Sequence, residues 1–249
     1  MNRTKIEYVD YTINPVKGKC PMGCSYCYAR RMYDRFKWNP EIRYEPEVFI
    51  DLNLISSGSK IFVGSTMELF GDWVDKRWLK DMFYWWIPRH KDKTFIFLTK
   101  CPQNLGRWSP FPENCWVGIT ATNAKMFKDA FVGLSEITAR VKFISIEPML
   151  ERIYHPLYVC QDMIDLMVTY VDWLIIGQQT PVSKKTEPKL EWIKEIVEAA
   201  DKASIPVFLK DNLKPLLNSN SMRIYENLWR HLDAKTLAFP LSVRQEMPR

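Results

Sequence analysis

Seven short runs of the chain read as strands, several of them almost wholly apolar, and stretches with helical periodicity separate them. The runs are Glu7–Ile13, Lys60–Gly64, Thr94–Thr99, Cys115–Thr120, Lys142–Ile146, Trp173–Ile176 and Pro206–Leu209. Strands that are apolar on both faces belong in a parallel sheet covered by helices, not in a sheet with one face in water. Candidate helices fill the intervals at Gly23–Lys37, Glu45–Ser56, Asp75–Trp86, Ala124–Thr138, Gln161–Tyr170, Leu190–Ala203 and Ile224–Leu232. The sixth shows the pattern best, with Trp192, Ile193, Ile196, Val197 and Ala200 forming one apolar stripe. Such alternation predicts parallel strands joined by crossover helices. No composition break, low-complexity segment or further repeat interrupts it, so one domain is expected over residues 1–249.

Composition narrows the class. With 47% apolar and 26% charged residues in 249, the chain is neither disordered nor collagen-like, and its core needs no disulfides. Mean hydropathy is −0.26, and no apolar run approaches the ~18–20 residues of a membrane span. The N-terminal residues offer no apolar stretch for an export signal. A cytoplasmic protein that does not engage a membrane is expected. The net charge of +6 says little by itself, but its distribution is uneven. Between Lys17 and Arg43, seven basic residues face two acids. That excess suits an anionic substrate or nucleic acid, and it also suits a solvated helix face.

The six cysteines are not evenly spread. Cys20, Cys24 and Cys27 fall within eight residues, while Cys101, Cys115 and Cys160 stand apart. Three clustered thiols cannot all pair with one another, and in a chain without an export signal such a cluster reads as metal or redox chemistry. A structural zinc site wants four ligands, and His90, His155 and His231 are too scattered to supply the fourth. A thioredoxin-type pair of Cys24 and Cys27 leaves Cys20 unexplained. Three thiolates on a short loop would hold three irons of a cubane iron–sulfur cluster and leave the fourth open to a ligand.

The Cys-x3-Cys-x2-Cys spacing, with Tyr26 directly before the last cysteine, resembles the signature of the radical S-adenosylmethionine (SAM) superfamily. Further phrases resemble a phage-associated radical-SAM-like family of unknown function: Asn14-Pro15-Val16, Cys27-Tyr28-Ala29, Ser65-Thr66-Met67-Glu68-Leu69-Phe70, Leu98-Thr99-Lys100, Glu147-Pro148-Met149 and Ile175-Ile176-Gly177-Gln178. Together they span roughly residues 12–215. Two departures stand out. The gap between the first two cysteines is that of the broad superfamily, and Gln178 stands where a second glycine is usual. A more distant likeness is to spore photoproduct lyase, through the Cys-Tyr-Cys-Tyr exit.

The resemblance implies an α/β fold, a partial (β/α)6 TIM-type barrel of parallel strands with an extra C-terminal strand and helices. Its core would cover about residues 7–180 and an extension about 181–249. It implies a [4Fe-4S] cluster on Cys20, Cys24 and Cys27, with SAM on the open iron. Reductive cleavage of SAM then gives a 5′-deoxyadenosyl radical that abstracts hydrogen from a substrate. A reductant such as flavodoxin or ferredoxin is implied as partner.

Sites of parallel barrels lie at the C-terminal strand ends, and polar residues follow each apolar run here. By the superfamily resemblance the Tyr26 backbone carbonyl is expected at the adenine, and the strand-end residues are expected at the rest of SAM. Ser65 and Thr66 are expected at the methionine amino group, Lys100 at the SAM carboxylate or an anionic substrate, and Thr120 and Glu147 at the ribose hydroxyls. For Glu147, a salt bridge to a barrel lysine is the structural alternative. Cys101, at a strand end, is a candidate hydrogen-atom donor or else a buried thiol, and Cys115 and Cys160 read as packing. A nucleic acid or nucleotide is the leading substrate class, from the basic segment and the aromatics able to stack on bases. The competing function is a non-catalytic nucleic-acid-binding module stabilised by zinc or an iron–sulfur cluster. Such a module has no need of polar residues ringing the strand ends.

Overall fold

The computed structural model describes residues 2–153, 161–216 and 243–248. The candidate helix Ile224–Leu232, His155, His231 and Cys160 lie outside the described residues. Two compact units emerge, Met1–Ile119 with Glu136–Arg140, and Thr120–Ser135 with Val141–Arg249. Among the described residues seven strands run parallel, and the fold class is α/β of the partial TIM type expected from the sequence. No helix among them is long and apolar enough to cross a membrane.

In the first unit, strand β1 (Asn2–Arg3) pairs antiparallel with β2 (Tyr11–Ile13), and β3 (Val16–Lys17) pairs antiparallel with β4 (Arg43–Tyr44). Parallel pairing then runs from β2 to β5 (Lys60–Val63), β6 (Thr94–Thr99) and β7 (Cys115–Thr120). β2 is shorter than the expected Glu7–Ile13, because the Asp10 carboxylate accepts from Lys60 N at 2.8 Å and fixes a bend ahead of the strand. The registers are level: Ile13 lies opposite Val63, and Val63 opposite Phe97. Residues just past β2 and β5 are therefore brought side by side.

Helix α1 (Tyr28–Phe36) is shorter than expected at its N-terminal end, since Cys27 caps it and accepts from Arg30 N at 3.4 Å. Pro46–Leu54 winds as a 3₁₀ helix where an ordinary helix was expected. Its two buried side chains, Phe49 and Leu52, are three residues apart, which matches the 3₁₀ repeat. Helix α2 (Lys76–Asp81) widens into a π turn at Met82–Trp86, just ahead of Pro88, which supplies no N–H to the ladder. The core of this unit is a cluster of rings: Phe83 lies 5.2 Å from Phe97, 5.3 Å from Phe111 and 5.7 Å from Trp108.

In the second unit, β8 (Val141–Ile146), β9 (Trp173–Ile176) and β10 (Val207–Leu209) are parallel, with Ile146 opposite Ile176 and Ile176 opposite Leu209. Helices α3 (Ala124–Ser135), α4 (Gln161–Tyr170) and α5 (Leu190–Lys202) accompany them. Ile193, Ile196, Val197 and Ala200 of α5 are buried as the stripe predicted, whereas Trp192 is only half-buried. Residues near 243–248 run along the outer edge of β10. Leu209 N donates to Arg244 O, Glu246 N donates to Val207 O, and the Trp173 indole donates to Glu246 O at 2.7 Å. The two bonds along β10 join backbone groups, so no side-chain pattern announced them.

Candidate functional site

The loop carrying Cys20, Cys24 and Cys27 is fixed at both ends. Before it, Gly18 N donates to the Tyr33 hydroxyl at 2.8 Å and Lys19 N donates to Pro40 O at 2.9 Å. Gly18 is obligatory: its φ is +125°, and a Cβ there would lie 2.5 Å from Glu41 O. After the loop, the Arg30 guanidinium reaches back to Cys20 O at 3.1 Å, and Cys27 N closes a turn on Cys24 O. All three thiols are half-buried and free of disulfides. Burial raises the Cys20 thiol, while backbone hydrogen bonds from Glu68 and Met22 pull partly back. Among the described residues, no three His, Cys, Asp or Glu side chains are gathered in a metal-holding group. The donors themselves, soft thiols on one anchored loop, are of the kind that an iron–sulfur cluster takes.

Level register puts Asn14, just past β2, beside the turn after β5. The Asn14 side-chain carbonyl accepts three hydrogen bonds: from Ser65 Oγ at 3.2 Å, Thr66 N at 3.1 Å and Thr66 Oγ1 at 3.1 Å. Both hydroxyls are thus committed as donors, and their oxygen lone pairs remain for an outside donor. The turn forms because Gly64 takes a φ of +80°. Tyr28, the first residue of α1, donates its hydroxyl to Ser65 O at 2.8 Å. The cysteine loop and the hydroxyl turn are therefore tied together through one phenol.

Glu68 is the hub behind this turn. It is buried, and it accepts from Thr99 Oγ1 at 2.6 Å, Lys100 N at 2.7 Å and Phe70 N at 3.1 Å. Burial raises its carboxyl despite those three donors. Lys100 is half-buried, and Cys101 is buried with its N–H bonded to Thr99 Oγ1 at 2.8 Å. Burial first, then the charge of Glu68, pushes the Cys101 thiol up to about 12, so it is held as S–H. Tyr26 is half-buried in the cysteine loop. Cys115 is fully buried, in keeping with a packing role.

Thr120 and Glu147 belong to the second unit. Thr120 and its neighbour Ser145 are almost completely buried, and neither hydroxyl has a hydrogen-bond partner; the Gln178 side-chain oxygen is buried and unpartnered as well. Native chains rarely leave such groups unpaired unless something else satisfies them. Glu147 makes the lysine pair that was its structural alternative, at 2.7 Å from Lys210 Nζ. Register explains it, because Ile146, Ile176 and Leu209 are level and the next residues are Glu147, Gly177 and Lys210. Gly177 leaves the room: a Cβ there would press on both side chains at 3.1 Å. Gln178, the departure from a second glycine, is held by Asn212. Gln178 N donates to the Asn212 side-chain oxygen at 3.2 Å, Asn212 Nδ2 donates to Gln178 O at 2.8 Å, and the Gln178 amide donates to Asn212 O.

Asn14, Tyr28, Glu68, Ser145, Lys210 and Asn212 received no role from the sequence. Glu68 carried a signal, as the one acid inside the apolar phrase Met67-Glu68-Leu69-Phe70. Asn14 carried another, as the first residue after the first apolar run.

A family profile described as a protein of unknown function, DUF5131, matches residues 3–218. No curated protein sequence matches the chain. Two solved structures share its fold, both of spore photoproduct lyase. One, a variant with bound AdoMet and dinucleoside spore photoproduct, is 13% identical with a TM-score of 0.55. The other, complexed with dinucleoside spore photoproduct, is 14% identical with a TM-score of 0.53. Each likeness covers 81% of this chain and 63% of that one, so the chain spans less than two thirds of the length of the lyase.

Proposed function

Because the chain belongs to the DUF5131 family of proteins of unknown function, its activity has to be read from its own residues, and we propose that it is a radical SAM enzyme. The observation that carries this reading is the Tyr28 bond to Ser65 O, which couples the cysteine loop to a pair of hydroxyls already turned as acceptors. Cys20, Cys24 and Cys27 would hold a [4Fe-4S] cluster. When bound, that group supplies the electron that cleaves SAM reductively to methionine and a 5′-deoxyadenosyl radical, which takes hydrogen from the substrate.

The chain's own residues do the positioning. Asn14 holds Ser65 and Thr66 so that their lone pairs accept from an ammonium group. Lys100 offers a cation to a carboxylate. The unpartnered hydroxyls of Thr120 and Ser145 suit the hydroxyl groups of a ribose, and Glu147, steadied by Lys210, supplies an acceptor. Cys101 keeps its S–H bond at neutral pH, the state a hydrogen-atom donor requires. The shared fold with spore photoproduct lyase supports the same reading.

Anaerobic reconstitution with iron and sulfide, followed by dithionite and SAM, tests it. Expected are about four irons per chain, loss of iron in Cys24→Ala, and 5′-deoxyadenosine as product. Zinc in place of iron, or iron without SAM cleavage, overturns it and leaves a metal-stabilised binding module.

A further inference from the structure

Helix α1 begins at Cys27 and leads away from the cysteine loop. Tyr28, Arg31 and Arg35 occupy one exposed face at i, i+3 and i+7. Lys37 then takes a left-handed conformation and ends the helix. Just beyond it, the Trp38 ring stacks on Phe36, with centroids 5.6 Å and planes 22° apart, and meets the buried Tyr33 edge-on at 5.3 Å. The Arg35 guanidinium lies 5.2 Å from the centre of the Phe36 ring. Although braced in this way, Tyr28, Phe36 and Trp38 stay 49%, 52% and 43% exposed.

The charge of this surface is set by the helix. Asp34, the one acid of α1, is paired with Lys19, and Glu45 is paired with Lys17 and Arg43. From Tyr28 to Lys37 the chain carries Arg30, Arg31, Arg35 and Lys37 against Asp34 alone, so the sign of this stretch is positive. Flat rings open to solvent beside guanidinium groups fit a ligand that carries both π faces and negative charge. A lipid surface fits poorly, because no aliphatic side chain stands among the exposed positions of α1 to enter a bilayer. A duplex fits poorly too, because its base faces are already stacked.

We propose that the exposed face of α1, from Tyr28 to Trp38, binds single-stranded nucleic acid, with bases stacking on the Phe36–Trp38 pair and phosphates on Arg31, Arg35 and Lys37. The nine residues of α1 are about 13 Å long at 1.5 Å per residue. A strand lying along them runs toward Cys27 and the candidate chemistry. That the strand is the substrate rests on the radical SAM reading. That it binds does not.

The test is fluorescence anisotropy of the reconstituted full chain with labelled oligothymidylate, oligouridylate and a duplex, at about 50 and about 200 mM salt. Saturable binding to a single strand that exceeds duplex binding and weakens with salt is expected; the two single strands separate DNA from RNA as its source. Replacing Arg31 or Arg35 by Gln should flatten the salt slope by about 0.7 each. Trp38→Ala should weaken binding about tenfold or more, and Trp38→Phe should restore most of it. Circular dichroism checks that each variant is folded. The inference is overturned if no saturable binding occurs at low salt, if folded Trp38→Ala binds as wild type, or if duplex, heparin or acidic vesicles bind as tightly as the single strand. 5′-deoxyadenosine is assayed separately without nucleic acid. Its formation in a chain that fails to bind sinks this inference alone, and binding without it sinks only the radical reading.

Discussion

Gly58 and Gly64 offer an internally controlled test of how the hydroxyl turn is built. Both have a φ of +80°, so alanine at either position meets the same left-handed penalty, about 1–2 kcal/mol. Both also gain from a less flexible unfolded chain, by about 0.4–1 kcal/mol. They differ in their surroundings. A Cβ on Gly58 meets nothing within 4 Å, whereas one on Gly64 would lie 2.6 Å from both Cγ and Cδ1 of Leu69. Carbon atoms in contact sit about 3.5–4.0 Å apart, and Leu69 is buried, so the overlap must be relieved by moving packed neighbours. Overpacking of this kind costs about 1–3 kcal/mol. Gly58→Ala should therefore destabilise by about 1 kcal/mol and Gly64→Ala by about 2–4 kcal/mol. In a chain of this length those correspond to falls in Tm of roughly 2–4 °C and roughly 5–15 °C by calorimetry. Combining Gly64→Ala with Leu69→Ala should cost less than the two single changes added together, because the second removes the atoms the first collides with. Equal Tm shifts for Gly58→Ala and Gly64→Ala, or a strictly additive double variant, would refute the reasoning.

Three further expectations concern other parts of the chain. Asn14→Ala strands three donors, of which the Thr66 N–H cannot rotate to water; a loss of about 1–2 kcal/mol is expected by thermal melting, while Asn14→Asp, which keeps the acceptor, should stay close to wild type. Burial holds His90 below the ordinary histidine range, so the folded chain binds its proton less readily than the unfolded chain. That contribution to stability is complete above about pH 6.5 and declines below it. Wild type should therefore lose more Tm than His90→Gln between pH 7 and pH 5, and an equal loss in both would count against a buried neutral imidazole. Finally, with its thiol near 12, Cys101 has little thiolate at pH 8. Peptide mapping after brief iodoacetamide treatment of the metal-free chain should show Cys20, Cys24 and Cys27 modified well ahead of Cys101, and similar rates would contradict its burial.

What could be read from the sequence, and what could not, divides along a physical line. The strands Thr94–Thr99, Cys115–Thr120 and Trp173–Ile176 begin and end where the apolar runs do, because burial on both faces leaves its mark on every residue of a strand. The cysteine loop is equally visible, because its three thiols sit within eight residues and need no tertiary information to be associated. Pairings made across neighbouring strands are invisible in the same sequence. Asn14 meets Ser65 and Thr66 only because Ile13 is level with Val63, and Glu147 meets Lys210 only because Ile146, Ile176 and Leu209 are level. A slip of one residue in either register would turn those side chains to the opposite face of the sheet. Local hydrogen bonding hid other features. The sequence pattern carries the helix back past Cys27, yet the Cys27 sulfur caps α1, and Pro46–Leu54 follows the three-residue spacing of Phe49 and Leu52.

Register also changes the standing of the last parallel strand. Pro206–Leu209 reads from the sequence as an addition beyond the core, because the earlier βα units already account for the resemblance. In the structure its level end delivers Lys210 to Glu147 across Gly177, and Asn212 follows to hold Gln178. Glu147 would otherwise keep a largely buried carboxylate without that cation, and Gln178 would lose the bonds that orient it. The extra C-terminal strand thus positions two of the polar residues that follow β8 and β9.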